Sequence, residues 1–386
     1  MRKHSRNGLV GIFGICALSL CQTPFLISPA HAADKAEYLF GFIDKTGKMV
    51  VAAEYEDARP FSEGLAVVQK KIDGNYRYGF IDHEGKTGIE FKYAEAGPFS
   101  EGLAPVKVPD SGSLVDELGG SAAGKWGFID KTGKFVIAPK FQEARSFSDG
   151  LAAVAEENRY GYVDKTGNFV IKPKFDLACP FVNGRAAIMT NDGTGMLSIQ
   201  SRGDIYRVSG GKWTYINKNG EVEFGPFEAC GVFNDGMSPV ALGPNQGKFL
   251  PNKWGFVDTK GKFVIKPNFN NVHALSEGKA AVQTGTWKNM GIGIKSWIPG
   301  KWGYINSKGK QIIESKFDGA DPFSDGMASV MIDHKWGYID TAGNMVIQPQ
   351  YRASWGFSEN LAPVQVCVEP KSEQKTESAP EAEDSD

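Results

Sequence analysis

Lys125 to Phe141 reads KWGFIDKTGKFVIAPKF, and close relatives of these seventeen residues return at 40–55, 78–93, 160–175, 213–227, 254–269, 302–317 and 336–351. With the glycine after the aromatic residue as position zero, Gly127 has counterparts in every copy except one, where Thr214 stands instead. A second glycine follows at +6 in all eight copies, Gly133 here, and an aromatic at +14 in seven; in the Thr214 copy Phe227 comes one residue early. Six residues beyond that ring lies another (Phe147 here, Leu275 once). Three further on is a glycine such as Gly150, replaced by Asn360 in the last copy.

Each position has a physical reading. In WGFID, Trp126, Phe128 and Asp130 alternate with Ile129, the period of a strand. Lys-Thr-Gly then turns the chain, with glycine at the left-handed position of a tight hairpin. The Asp or Asn that closes the first strand in every copy, Asp130 here, serves as acceptor for that turn. FVI forms a second strand, which Pro139 is expected to end by withholding an amide. A loop carrying the two rings leads to a third short strand, LAAV. Pro105, Pro239 and Pro363 share one position in it, which predicts an edge strand. No stretch shows a sustained helical period, so the unit is a hairpin plus one strand.

Successive zero positions lie 38, 48, 34, 53, 41, 48 and 34 residues apart, and all insertions fall between the third strand and the next aromatic-Gly pair. A stacked array would carry them along one edge. One unit holds too few large apolar residues to offset the entropy of ordering its backbone, so copies must share buried faces. The expected fold is therefore all-β: a tandem array of eight three-stranded β-repeats. Open superhelical stacking is the first expectation because the first and last repeats are both complete; a closed eight-bladed β-propeller-like ring is the alternative.

KWGFIDKTGKFVIAPKF, KWGFVDTKGKFVIKPNF and KWGYIDTAGNMVIQPQY resemble the bacterial WG-containing (KWG) repeat, and the resemblance covers about 40–368. Phe40, Tyr78 and Tyr160 stand where that family has Trp, and Thr214 where it has Gly. The resemblance implies a secreted or surface-associated scaffold without a general activity and supplies no catalytic residues. It leaves the altered fifth copy as a potential kink in the array.

The chain opens with the basic MRKHSRN, an apolar run GLVGIFGICALSLC and the small-residue stretch SPAHAAD. That is the layout of a signal peptide, 1–32, cleaved after Ala32. The run is too short for a permanent membrane anchor, and Leu20 before Cys21 argues against lipidation. The expected organisation is a signal peptide at 1–32, a repeat array at 33–368 and a disordered acidic tail at 369–386. Residues 1–32 carry Arg2, Lys3 and Arg6 and no acid, so their removal takes the formal charge from −2 to −5. The tail alone carries seven acids and two lysines. The folded part is thus nearly neutral, and nothing in it recommends nucleic acid as a partner.

No nucleophile elbow, phosphate loop or calcium loop occurs, so no enzyme and no cofactor are expected. His83, His273 and His334 fall at different repeat phases, without a second His or a Cys at metal-ligand spacing. Cys179 and Cys230 occupy the same loop in adjacent repeats, so stacking would bring them together as a disulfide or as two buried thiols; Cys367 is left over. Five tryptophans sit at position −1, where core packing explains them. Trp287 and Trp297, in the insertion QTGTWKNMGIGIKSWIPG, and Trp355, in the last ring loop, obey no packing rule and are the candidate ligand-binding rings. The insertions at 107–124 and 189–211 read as loops or small hairpins. The expected function is an exported, periplasmic or extracellular, protein-binding scaffold; the alternative is a glycan or cell-wall binding module using those rings.

Overall fold

The computed structural model describes residues 37–109, 124–190, 198–202, 205–209, 212–243, 253–291 and 295–369. The expected signal peptide at 1–32 and residues 370–386 of the tail lie outside these. Among the described residues no helix is long and apolar enough to cross a membrane.

Every repeat contributes four strands, not the three expected. The additional one is two residues long and lies inside the ring-bearing loop: Asp57–Ala58 pairs antiparallel with Ala66–Ile72, with Asp57 opposite Gln69 and Ala58 opposite Val68. Two residues are too few to show a period. Asp57–Ala58, Ala66–Ile72, Asn75–Ile81 and Thr87–Tyr93 form one sheet in that order. This is blade 1. Blades 2 to 7 span 95–141, 143–175, 177–227, 229–269, 271–317 and 319–351. A blade is thus offset from the sequence repeat: it takes its first two strands from one copy and its last two from the next.

The offset settles the architecture. Blade 8 is built from both ends of the chain, in the order Met49–Tyr55, Glu37–Asp44, Leu361–Val368, Ala353–Ser354. Glu37–Asp44 and Leu361–Val368 pair along their whole length, from Glu37 opposite Val368 to Asp44 opposite Leu361. The open superhelical stack of three-stranded repeats is therefore corrected to a closed eight-bladed β-propeller with four-stranded blades. Complete-looking terminal repeats hid the closure, because the shared sheet joins strands that each copy already possesses.

Blades meet through cores that lie between them. One cluster joins Phe80, Ile89 and Tyr93 of blade 1 to Phe99, Ala104 and Val106 of blade 2. Another joins Phe42, Val51 and Tyr55 of blade 8 to Ala58, Phe61 and Val68 of blade 1, so the closing seam is packed like the others. A ring of the third strand meets the later repeat ring across seven of the eight seams, Leu275 standing at the other: Phe80 and Phe99 have centroids 5.0 Å apart, Phe128 and Phe147 4.8 Å, and Phe42 and Phe61, at closure, 4.9 Å. These are favourable aromatic separations. Of the five tryptophans at position −1, Trp213, Trp254 and Trp302 are buried, while Trp126 and Trp336 pack half-buried against the core.

The glycine of WG answers a steric demand. Trp126 pairs with Phe141 and Phe128 with Ile137, so residues 138–140 arch over Gly127 alone. A Cβ on Gly127 would lie 2.6 Å from the Ile137 carbonyl oxygen. In the fifth copy Trp213 pairs with Phe227 and Tyr215 with Phe224, leaving only two residues over Thr214. One of them is Gly225, whose added Cβ would meet Thr214 at 3.0 Å. The threonine and the deletion are one compensated change, a glycine moved to the facing strand, and not a kink in an array.

Two proline readings are also corrected. Pro139 does not end its strand, which runs Phe135–Phe141 along the outer edge of the blade, where a missing donor is tolerated at the bulge. Pro105 is not on an edge, since Ala104–Pro109 has neighbours on both sides. Pairing with the two-residue strand stops at Val106 and Lys107, and the Pro105 carbonyl accepts the Gly97 N–H at 2.8 Å, so no donor is required there.

Gly127→Ala is expected to cost about 3 kcal/mol or more, because backbone must move. Gly102→Ala, with open space around its Cβ and φ of 86°, should cost only about 1–2 kcal/mol. Urea unfolding of the two variants checks the order.

Candidate functional site

The ring has two unlike faces. On one lie the turns joining first to second strands and those joining third to outer strands. On the other lie the connections between second and third strands.

On the first face each blade carries a two-residue turn with two successive left-handed residues. In blade 1, Ser62 and Leu65 exchange backbone hydrogen bonds of 2.9 and 3.3 Å around Glu63 (φ 55°) and Gly64 (φ 88°). Such turns favour Asn or Gly at their first position, yet seven of the eight have an acid there. The carboxylate reaches across the seam, where Glu63 accepts the Gly102 N–H of the next blade at 3.1 Å. The pattern runs round the ring, with Glu101 to Gly150 at 3.0 Å, Asp149 to Gly184 at 2.5 Å, Asp235 to Gly278 at 2.7 Å, Glu277 to Gly326 at 3.0 Å and Asp325 to Asn360 at 2.8 Å. Glu359 closes it onto Gly64 of blade 1 at 3.1 Å. At the eighth seam Asn183 holds the position, and no such bond is made to Gly236 among the described residues.

Standard covalent lengths put turns linked in this way within about 10 Å of one another, so the seven links hold the eight turns in one tight chain round the ring. So close a spacing fits the inner rim of an eight-bladed ring, and the two-residue strand leading into each turn is the inner edge of its blade.

A base from the neighbouring blade's outer hairpin reinforces four of these contacts. Lys131 donates to the Glu63 carbonyl at 2.8 Å, Lys165 to that of Glu101 at 2.9 Å and Lys218 to that of Asp149 at 2.5 Å, while His83 Nε2 meets Glu359 Oε2 at 2.8 Å. Burial works to raise the Glu101 pKa, but the Gly150 N–H and the Lys165 ammonium outweigh it and hold the carboxyl below its usual range. A depressed folded value contributes stability that is present above the ordinary Glu pKa of about 4.3 and is lost as pH falls through the lower, folded value. Glu101→Gln should accordingly lower the urea midpoint at pH 7, and the gap from the parent protein should close as the pH is taken below about 4.

The opposite face is irregular. Blades 1, 3 and 7 make the connection with two left-handed residues, Asp73-Gly74, Glu157-Asn158 and Asp333-His334. Blade 6 instead extends its two strands, Lys279–Asn289 and Lys295–Asn306, into a long arm in which Trp287 and Trp297 are direct partners across the ladder. The insertion of blade 4 carries a hairpin, Ser198–Arg202 and Ile205–Ser209, that adds to the inner edge of blade 5, with Tyr206 opposite Cys230. Residues 110–123 of the other long insertion lie outside the described residues.

The three candidate rings are not brought together. Trp287 and Trp297 share the arm, whereas Trp355, 45% exposed, precedes the turn of blade 8 on the other face; its carbonyl accepts the Tyr338 hydroxyl at 2.9 Å. Cys179 and Cys230 are buried as free thiols in one cluster across the seam of blades 4 and 5. Burial, with the Cys179 thiol beside it, pushes the Cys230 pKa well above its usual range. His83 lies against Phe61 with centroids 4.4 Å apart, buried His273 lies beside Trp302, and His334 is in a turn. Among the described residues no three His, Cys, Asp or Glu side chains are grouped to hold a metal. The turn acids went unread in the sequence, although an acid before the late glycine position in seven copies was a visible signal.

A model of the WG-containing repeat matches residues 40–76, 78–108, 126–160, 160–193, 254–285, 302–336 and 336–366, leaving the Thr214 copy unmatched. No curated protein sequence matches the chain. Solved structures of similar shape include the uncharacterized protein lmo1340 from Listeria monocytogenes EGD-e (13% identity, 76% of this chain and 93% of that one, TM-score 0.44). The β-propeller domain of the Trilobed protease from Pyrococcus furiosus is another (10% identity, 77% and 98%, TM-score 0.42). Pyrococcus horikoshii acylaminoacyl peptidase is a third (11% identity, 77% and 53%, TM-score 0.42). At these identities the likeness is one of fold.

Proposed function

The chain belongs to the WG-containing repeat family, and from that premise we propose that it is a non-enzymatic scaffold that binds another protein, exported to the bacterial envelope or beyond it. The face carrying the connections between second and third strands is the binding surface. One observation carries this reading: the turns of the first face repeat blade after blade, whereas all insertions are collected on the second. A rigid ring presenting diverse loops on one side is suited to recognition. The peptidases among the structural neighbours lend this chain no activity, since its likeness to them is one of fold.

A second reading rests on the arm. Trp287 and Trp297 occupy one register position of the extended hairpin, and tryptophan is a residue type whose flat apolar ring suits stacking on sugars. Trp355, on the other face, would belong to a separate contact.

A photo-cross-linker placed at Lys288 in the arm should capture a protein partner, and the same group at Lys86 on the first face should not; equal capture from both sites would contradict the assignment of faces. Co-sedimentation with purified peptidoglycan and envelope polysaccharide tests the alternative. Binding that Trp287→Ala/Trp297→Ala abolishes at unchanged melting temperature would establish the glycan reading in place of the protein one.

A further inference from the structure

We propose that Cys179 and Cys230 form a disulfide that staples blade 4 to blade 5, taking the place of the carboxylate contact this seam lacks. Two independent observations coincide there. Seven seams are tied by an acid in the inner turn, and the one with Asn183 instead is the seam across which the two cysteines sit in one buried cluster. Thr259 stands where Lys131, Lys165 and Lys218 stand in blades 2 to 4, as Ser307 and Thr341 do in blades 6 and 7, but only at the Asn183 seam is the acid absent as well. The seam without the acid is the one whose buried cluster holds two sulfurs.

The surroundings hold both sulfur-bearing segments in place. The Cys179 N–H donates to the Ala187 carbonyl at 2.9 Å, and its carbonyl accepts the Tyr162 hydroxyl at 2.8 Å. The Tyr215 hydroxyl binds the carbonyl of Gly231, next to Cys230, at 2.9 Å. Cys179 and Cys230 are 1% and 0% exposed, so neither is open to an oxidant once the ring has closed. The bridge therefore forms while blades 4 and 5 are docking.

The chemistry is thiol–disulfide exchange with a small disulfide such as oxidised glutathione. One cysteine thiolate attacks the donor, breaking its S–S bond and releasing one thiol. The second cysteine then displaces the other half. Two protons and two electrons leave the protein, and one donor disulfide becomes two thiols.

The test uses the full chain refolded with oxidised and reduced glutathione or with reductant alone. Non-reducing peptide mapping should find the peptides of Cys179 and Cys230 linked, and the bridged protein should melt about 5 °C higher than the reduced one. Asn183→Asp restores the residue type of three other turns at the same φ, and keeps the test informative should cysteine variants fail to fold. It should raise the melting temperature of the reduced protein by about 2 °C and that of the bridged protein by much less. Separate alkylation of Cys179 and Cys230 after oxidative refolding, or linkage of either to Cys367, would overturn the bridge. An equal gain from Asn183→Asp in both forms would overturn its role as a substitute contact.

Discussion

The structure depends on contact between neighbouring blades. A single sheet of four short strands, one only two residues long, has no core of its own; its large side chains are buried against the next blade. Every blade therefore needs two neighbours, and a linear row would leave two blades with one each. Closing the row removes both ends. The chain achieves this by placing Glu37–Asp44 beside Leu361–Val368, so the last blade cannot form before both termini have arrived. A ring of short electrostatic contacts then fixes the spacing, each linking an acid in one inner turn to an amide in the next. The left-handed conformation of those acids, costly for residues with a Cβ, is offset by the contact it permits.

Departures from the repeat come in compensating pairs. Thr214 would be excluded by the arching outer strand of any other copy; here that strand is one residue shorter and carries Gly225 above it. Asn183 lacks the charge of its seven counterparts, and the seam it faces is the one whose buried cluster holds Cys179 and Cys230. Both changes border the seam of blades 4 and 5, where the blade 4 insertion also crosses to pair with 229–231. The regular seams share one solution, and the irregular seam is assembled from several others.

Much of this was legible in the repeat. The turn glycines, the Asp and Asn acceptors and the strand alternation are local, and eight copies amplify a local signal: Thr132 N and Lys134 N both donate to Asp130 Oδ1, as the turn reading requires. The meeting of Cys179 and Cys230 followed from repeat phase alone. The two-residue strand was not legible, because it is shorter than any period. Closure was not legible either, since curvature sums small rotations between blades and no single copy states the total. The acid in each inner turn looked like an ordinary surface residue; only its reach to the following blade gives it meaning. As for the candidate rings, sequence placed Trp287, Trp297 and Trp355 outside the packing pattern but could not say that they would lie on different faces.

The closed ring itself is tested most directly at the strand pair that makes it. Tyr38 lies opposite Cys367 in the shared sheet, and side chains directly opposite on antiparallel strands are close enough for a bridge. In monomeric Tyr38→Cys protein purified without reductant, peptide mapping should find residues 38 and 367 joined. A Tyr76→Cys control, whose cross-strand partner is Lys71, should show no bridge. Free, separately alkylated thiols at 38 and 367 in the folded monomer would contradict closure and return the repeats to an open array.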